Sequence, residues 1–260
     1  MKIGIFDSGL GGLTVVQAMT QVIKGAELFY VADTKNAPYG ERTPEQILKY
    51  SLDITQKLIE KHQITALIIA CNTATSAAIH ALRKYYPWLI IIGTEPGIKP
   101  AIEQTLSSKV GVLATPATLK GTKYQKLANT LAGEKDVILF EQSCPGLVEQ
   151  IEKGEINSIK TYDMLENWLS PMRENGVDTI VLGCTHYPLV SKTITNIMKK
   201  DITLIHTGEA IAKRLLYLAK EKKHSNFGKL KISLYSTDTI NEQIVHSIFQ
   251  ESINIEKITI

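Results

Sequence analysis

Short runs of consecutive apolar residues alternate along most of this chain with longer stretches in which apolar positions recur at helical spacing. The first kind reads as buried parallel strand and the second as amphipathic helix. The pattern predicts strands beginning near Lys2, Glu27, Ala66, Leu89, Lys109, Asp136, Asp178, Ile202 and Leu230. It predicts helices over Pro44–Lys61, Thr73–Tyr86, Thr118–Ala132, Pro188–Lys200 and Gly208–Lys220, with a last one near Asn241–Gln250. Such alternation predicts an α/β protein of mostly parallel sheets flanked by helices.

A weak internal repeat refines the picture. Lys2-Ile3-Gly4-Ile5-Phe6-Asp7 is echoed by Lys109-Val110-Gly111-Val112-Leu113-Ala114, and Ala66–Ala70 running into Cys71 is echoed by Thr179–Gly183 running into Cys184. Similar offsets in the same order predict two similar lobes. The Gly93-Thr94-Glu95-Pro96-Gly97 stretch marks the crossing. The expected division is 1–95 plus 208–260 for the first lobe and 96–207 for the second, with the active site in the cleft between them.

Composition narrows the function classes. The chain has 260 residues, 44% apolar and 21% charged, with a formal net charge of +3. That supports full-sized cores. No basic cluster is dense enough to suggest nucleic acid or an anionic membrane, and Lys220-Glu221-Lys222-Lys223 reads as a solvated helix end. No apolar run approaches the roughly 20 residues of a spanning helix. The amino terminus enters a strand almost at once, without a signal-peptide layout, so a cytoplasmic protein is expected. Three cysteines, an odd count without scaffold spacing, fit thiols in a reducing compartment.

The candidate chemistry lies where predicted strands end, which is where ligands bind in open parallel sheets. Cys71 is followed by Asn72 and Thr73, and Cys184 by Thr185 and His186. A lone buried cysteine reads as a small hydrophobe. Two in equivalent settings, each with polar followers, read as a pair of acid/base groups, with His186 holding or shuttling a thiol proton. The first strand ends in Asp7-Ser8-Gly9-Leu10-Gly11-Gly12-Leu13-Thr14. Glycines there let the backbone approach a small anion such as a carboxylate. A dinucleotide site fails because Thr14 stands in place of the third glycine of G-x-G-x-x-G, although Asp33 lies near the end of the second strand. Asp7 reads either as a helix cap or, if Ser8 caps instead, as a group facing the pocket. Ala37-Pro38-Tyr39-Gly40 reads as a turn. A zinc site from Cys71, Cys184 and His186 lacks paired ligand spacing, and Cys144 before Pro145 reads as structural.

FDSGLGG, APYG, ACNTAT and GCTHYPL, in this order, resemble the glutamate racemases of the cofactor-independent aspartate/glutamate racemase superfamily, over essentially the whole chain. ATPATLKGT, with Thr118, and CPGLVEQIEKG, with Glu152, add weaker matches. The resemblance implies interconversion of L- and D-glutamate without a cofactor or metal, supplying D-glutamate for peptidoglycan. It implies that Cys71 takes the α-proton of D-glutamate with help from Asp7. Cys184 would take that of L-glutamate with help from His186 and Glu152. Asp7, Ser8, Pro38, Tyr39, Gly40, Asn72, Thr73, Thr118, Thr185 and His186 would bind the substrate. A homodimer is expected, with no nucleic-acid or membrane partner. The early first strand implies a member independent of cell-wall-precursor activation. The chain departs from the family pattern at Gly121, Glu149 and His206. The rival readings are an aspartate racemase on the same scaffold and a non-catalytic relative that binds small anions or proteins.

Overall fold

The computed structural model describes residues 1–199, 201–224, 226–249 and 255–260, with the side chains of 123, 132 and 134 set aside. The chain divides into two compact units, Met1–Thr94 with Thr207–Ile260, and Glu95–His206.

The first unit begins β1 (Lys2–Asp7), α1 (Leu13–Val22), β2 (Glu27–Ala32), α2 (Pro44–His62), β3 (Ala66–Ile69), α3 (Asn72–Tyr85) and β4 (Ile90–Gly93). The second unit contains α4 (Ile98–Gln104), β5 (Lys109–Ala114), α5 (Pro116–Lys120), α6 (Thr122–Lys135), β6 (Ile138–Ser143), α7 (Leu147–Glu152), α8 (Ile159–Glu174), β7 (Thr179–Gly183), α9 (Ser191–Met198) and β8 (Thr203–Ile205). The chain then returns to the first unit with α10 (Gly208–Glu221), β9 (Lys231–Ser236), α11 (Glu242–Phe249) and β10 (Ile255–Lys257).

In the first unit the sheet order is β10-β9-β2-β1-β3-β4, and every pairing is parallel. β1 lies between β2 and β3, so Ile3, Ile5 and Phe6 are fully buried. Helices α2 and α3 pack on the face that carries Phe6, Phe29, Leu67 and Ile69. Helix α1 packs against α10 and α11. Local chemistry sets α2 well. Thr43 and Gln46 form a reciprocal capping box, Pro44 opens the first turn, and Gln63 ends the helix in a left-handed conformation. Its buried Ser51 and Thr55 return their hydroxyls to the carbonyls of Ile47 and Ser51, at 2.7 and 2.6 Å.

The second unit holds a parallel sheet ordered β6-β5-β7-β8. Period-two alternation divides its core. Leu113, Ile180 and Leu182 face one cluster with α8 and α9 residues, while Val110, Val112 and Val181 face another with α4 and α6 residues.

Several elements differ from expectation. The helix expected over Thr118–Ala132 is two helices, because Gly121 takes an extended conformation between α5 and α6. The helix expected from Pro188 opens with a tight 3₁₀ turn over Tyr187–Val190, and its expected end at Lys200 lies outside the described residues. Gln250, the expected end of the last helix, also lies outside them. Strand β10 has no counterpart in the pattern reading. It is three residues long and pairs with β9, too short to carry a periodic signal.

Leu58 is fully buried on α2. Leu58→Ala should lower unfolding free energy by about 2–5 kcal/mol. The exposed cap change Thr43→Ala should cost about 1 kcal/mol. Urea denaturation of the two variants checks both, and equal losses would contradict this division between core and cap.

Candidate active-site residues

In the first unit the chemistry-bearing residues follow β1, β2 and β3. Asp7 is fully buried. One of its oxygens, Oδ2, accepts the backbone N–H groups of Gly9 at 3.2 Å and Gly12 at 3.1 Å. The Tyr30 hydroxyl donates to the Gly9 carbonyl at 2.5 Å. Gly12 is needed for this closeness: a Cβ there would stand 2.6 Å from the Asp7 Cβ and 2.8 Å from the Tyr30 hydroxyl. Asp7 therefore gathers the glycine loop, while the N-cap of α1 is Gly12, with no side-chain cap from Asp7 or Ser8. The loop N–H groups have no helical acceptor of their own, and a buried carboxylate needs donors, so each satisfies the other.

Cys71 is the N-cap of α3, and its Sγ accepts the Ala74 N–H at 3.4 Å. The Ser8 hydroxyl lies 4.0 Å from the same sulfur. An N–H donor and the positive end of the α3 dipole favour negative charge there. Asn72 and Thr73 form the first turn of α3 and are buried. The Asn72 Nδ2 is buried without a hydrogen-bond partner among the described residues.

Pro38 follows a cis peptide bond, and Tyr39 and Gly40 open a 3₁₀ turn. The buried Tyr39 hydroxyl donates to Asp33 Oδ2 at 2.6 Å. Asp33, itself buried, also accepts from the Asn36 amide and, at 3.0 Å, from Thr237 Oγ1. Burial, and then the Asp33 carboxylate, push the Tyr39 phenol well above its ordinary 10.0, so it remains a donor. Sequence reasoning gave Asp33 no part in holding Tyr39. Thr237, from the far end of the chain, offers no local signal for that network.

In the second unit Cys184 follows β7. Gly183 permits tight strand packing there, since a Cβ would meet the Leu113 carbonyl at 2.8 Å. Cys184 Sγ lies 3.7 Å from His186 Nδ1, and His186 Nε2 lies 2.5 Å from Glu152 Oε1. Glu152 closes α7, so a thiol, an imidazole and a carboxylate from two elements form one chain of contacts. Thr185 Oγ1 is 3.5 Å from the same Nδ1. Thr118 is buried in α5, hydrogen-bonded to its cap Thr115 at 3.0 Å, at the end of the strand beside β7. Cys144 is buried, which pushes its thiol up, as suits an inert cysteine. Of the departures from the family pattern, Glu149 lies in the first turn of α7 with a buried Oε2. Among the described residues, no group of three or more His, Cys, Asp or Glu is arranged to hold a metal ion, and no helix is long and apolar enough to cross a membrane.

Residues 3–215 match the Asp/Glu/hydantoin racemase family. The chain belongs to that family. It is 66% identical over 251 residues to a glutamate racemase from Sulfurovum sp., covering 96% of this chain and 95% of the relative. Its fold matches glutamate racemase isoform RacE1 from Bacillus anthracis with a TM-score of 0.86 at 27% identity, covering 99% and 97% of the two chains. It also matches a glutamate racemase from Francisella tularensis, solved with D-glutamate, with a TM-score of 0.83 at 26% identity, covering 99% and 97%.

For this racemase-family chain, the state of His186 is the sharpest electrostatic feature. Burial alone would lower its pKa, but the contacts with Cys184 and Glu152 outweigh burial and hold it well above 6.5. The folded value thus lies above the unfolded one. The charged contact's contribution to stability is full below about 6.5 and is lost as pH rises through the folded midpoint. Glu152→Gln should move the His186 midpoint down, followed by NMR titration of the imidazole. A midpoint that stays in place would show that Glu152 is not its support.

Proposed function

We propose that this chain interconverts L- and D-glutamate by moving the α-proton through two thiols, Cys71 and Cys184, providing D-glutamate for peptidoglycan. The observation that carries this reading is the Cys184–His186–Glu152 chain of contacts. It is the arrangement a thiol needs to act as a base near neutral pH. A thiol of ordinary pKa, about 8.5, is mostly protonated there, and a neighbouring imidazolium stabilises the thiolate. Two relatives bear on the substrate: the Sulfurovum protein is a glutamate racemase, and the Francisella enzyme was solved with D-glutamate.

Inverting the α-carbon needs a base on one face and an acid on the other. In the L-to-D direction, the Cys184 thiolate removes the proton and the Cys71 thiol returns one. His186 holds the charge on the Cys184 side, and Glu152 keeps its ring oriented. In the reverse direction Cys71 is the base, with the α3 amino terminus and Ser8 beside its sulfur. Asp7 contributes by shaping the loop that carries Ser8. The carbanion formed between the two transfers needs donors on the substrate carboxylate. The Asn72 amide, buried with an unused N–H₂, and the hydroxyls of Thr73, Thr118 and Thr185 are suited to that work. Tyr39 and Gly40 complete the binding set, and no pyridoxal is required.

The test is purified protein with L-glutamate in D₂O, without pyridoxal phosphate, read by chiral chromatography and NMR of α-deuteration. L-Aspartate is run in parallel. Wild type should form deuterated D-glutamate, and Cys71→Ser and Cys184→Ser should each lose about 10²–10⁴ in rate. Asn72→Ala should weaken turnover without abolishing deuteration. A wild type that neither racemises nor deuterates glutamate would overturn the reading, and a preference for aspartate would reassign the substrate.

A further inference from the structure

Beyond the carboxyl ends of β2, β9 and β10, the first unit holds a cavity of about 380 Å³. Cys71, Asp7, Asn72 and Thr73 do not line it. Its size falls within the roughly 300–1,000 Å³ typical of small-molecule pockets. Its position follows the rule that open parallel sheets take ligands past their strand ends.

The lining carries charges of both signs, with Lys35, Lys49 and Lys257 beside Asp33, Asp53 and Asp238. Lys49 is committed to Asp53 at 2.5 Å. Lys257 reaches Asp238 only at 3.5 Å, and the Lys35 ammonium has no carboxylate partner among the described residues. Both lysines nevertheless act on Asp238, so the three charges lie in one neighbourhood. A simple anion entering here would meet Asp238 and the buried Asp33. A simple cation would meet Lys35 and Lys257. A molecule carrying both charges a few bonds apart satisfies both sets. Tyr50, Ile258 and Ile260 add an apolar wall.

We propose that this cavity binds a small α-amino acid with an apolar side chain. Its carboxylate lies on Lys35 and Lys257, its ammonium on Asp238 toward Asp33, and its side chain against Tyr50 and Ile258. The site goes beyond the proposed racemisation and is tied to it structurally. The Lys35 N–H donates to Thr237 Oγ1 at 3.0 Å, Thr237 donates to Asp33, and Asp33 holds Tyr39.

Equilibrium dialysis of the full chain with radiolabelled L-valine tests the proposal without reference to turnover. Isovalerate and isobutylamine, which each keep one of valine's two charges, serve as matched probes. Saturable binding of one valine per chain is expected. It should weaken by at least about tenfold in Lys35→Glu and in Lys257→Glu, and isovalerate and isobutylamine should bind at least about tenfold more weakly than valine. The two lysines sit on different segments, and the thermal midpoint of each variant reports its folding. Lack of saturable binding, binding that survives both reversals, or equal binding of a singly charged probe would overturn the proposal.

Discussion

Strand pairing in each sheet is parallel among the described residues, and this constraint organises the chemistry of the chain. A parallel neighbour can be reached only through a crossover, so each strand must hand the chain to a helix or loop at the same edge. Asp7 ends β1, and Asp33, Cys71 and Thr237 follow β2, β3 and β9, so they share one edge of the first sheet. Thr115, Cys144 and Cys184 follow β5, β6 and β7 in the second. Residues separated by as many as two hundred positions become neighbours because their strands do.

The two thiols have different support. Cys71 meets backbone and a hydroxyl: it caps α3, takes an N–H from the first turn and has the Ser8 hydroxyl 4.0 Å from its sulfur. Cys184 relies on side chains, through an imidazole backed by a carboxylate. The difference follows from what comes after each strand. Asn72 enters a fourteen-residue α-helix at once, so the Ala74 N–H of its first turn reaches the sulfur. After Cys184 the chain takes a short 3₁₀ turn through Tyr187–Val190, which leaves His186 to fold back on the thiol. A weak, short turn offers little dipole, and the imidazole takes its place.

Buried carboxylates shape the first unit around these groups. Asp7 and Asp33 are almost wholly out of water, and such charges persist only when hydrogen-bonded. Asp7 meets that need with glycine-loop N–H groups, and Asp33 with Tyr39, Asn36 and Thr237. Each carboxylate thereby fixes a loop that carries a substrate-binding candidate, Ser8 in one case and Tyr39 in the other. Both loops gain a defined conformation from one buried charge.

Much of this was legible in the sequence. Apolar runs ending in Cys71 and Cys184 marked the strands and the thiols, because a buried strand is a local hydrophobic signal and its end is where polar residues begin. The helix over Pro44–Lys61 was legible in the same way, from the spacing of its apolar positions, whereas the Thr43–Gln46 capping box and the Thr115-Pro116 helix start were seen only in the structure. Tertiary structure alone decided what Asp7 binds, that Asp33 anchors Tyr39, and that β10 pairs with β9. Those outcomes depend on contacts between distant segments, such as Thr237 with Asp33, and on which of several local donors a buried charge can reach. Periodicity records which face of an element is apolar. The partner of a buried polar group is chosen only when the sheet assembles, because burial creates the demand that its hydrogen bonds satisfy.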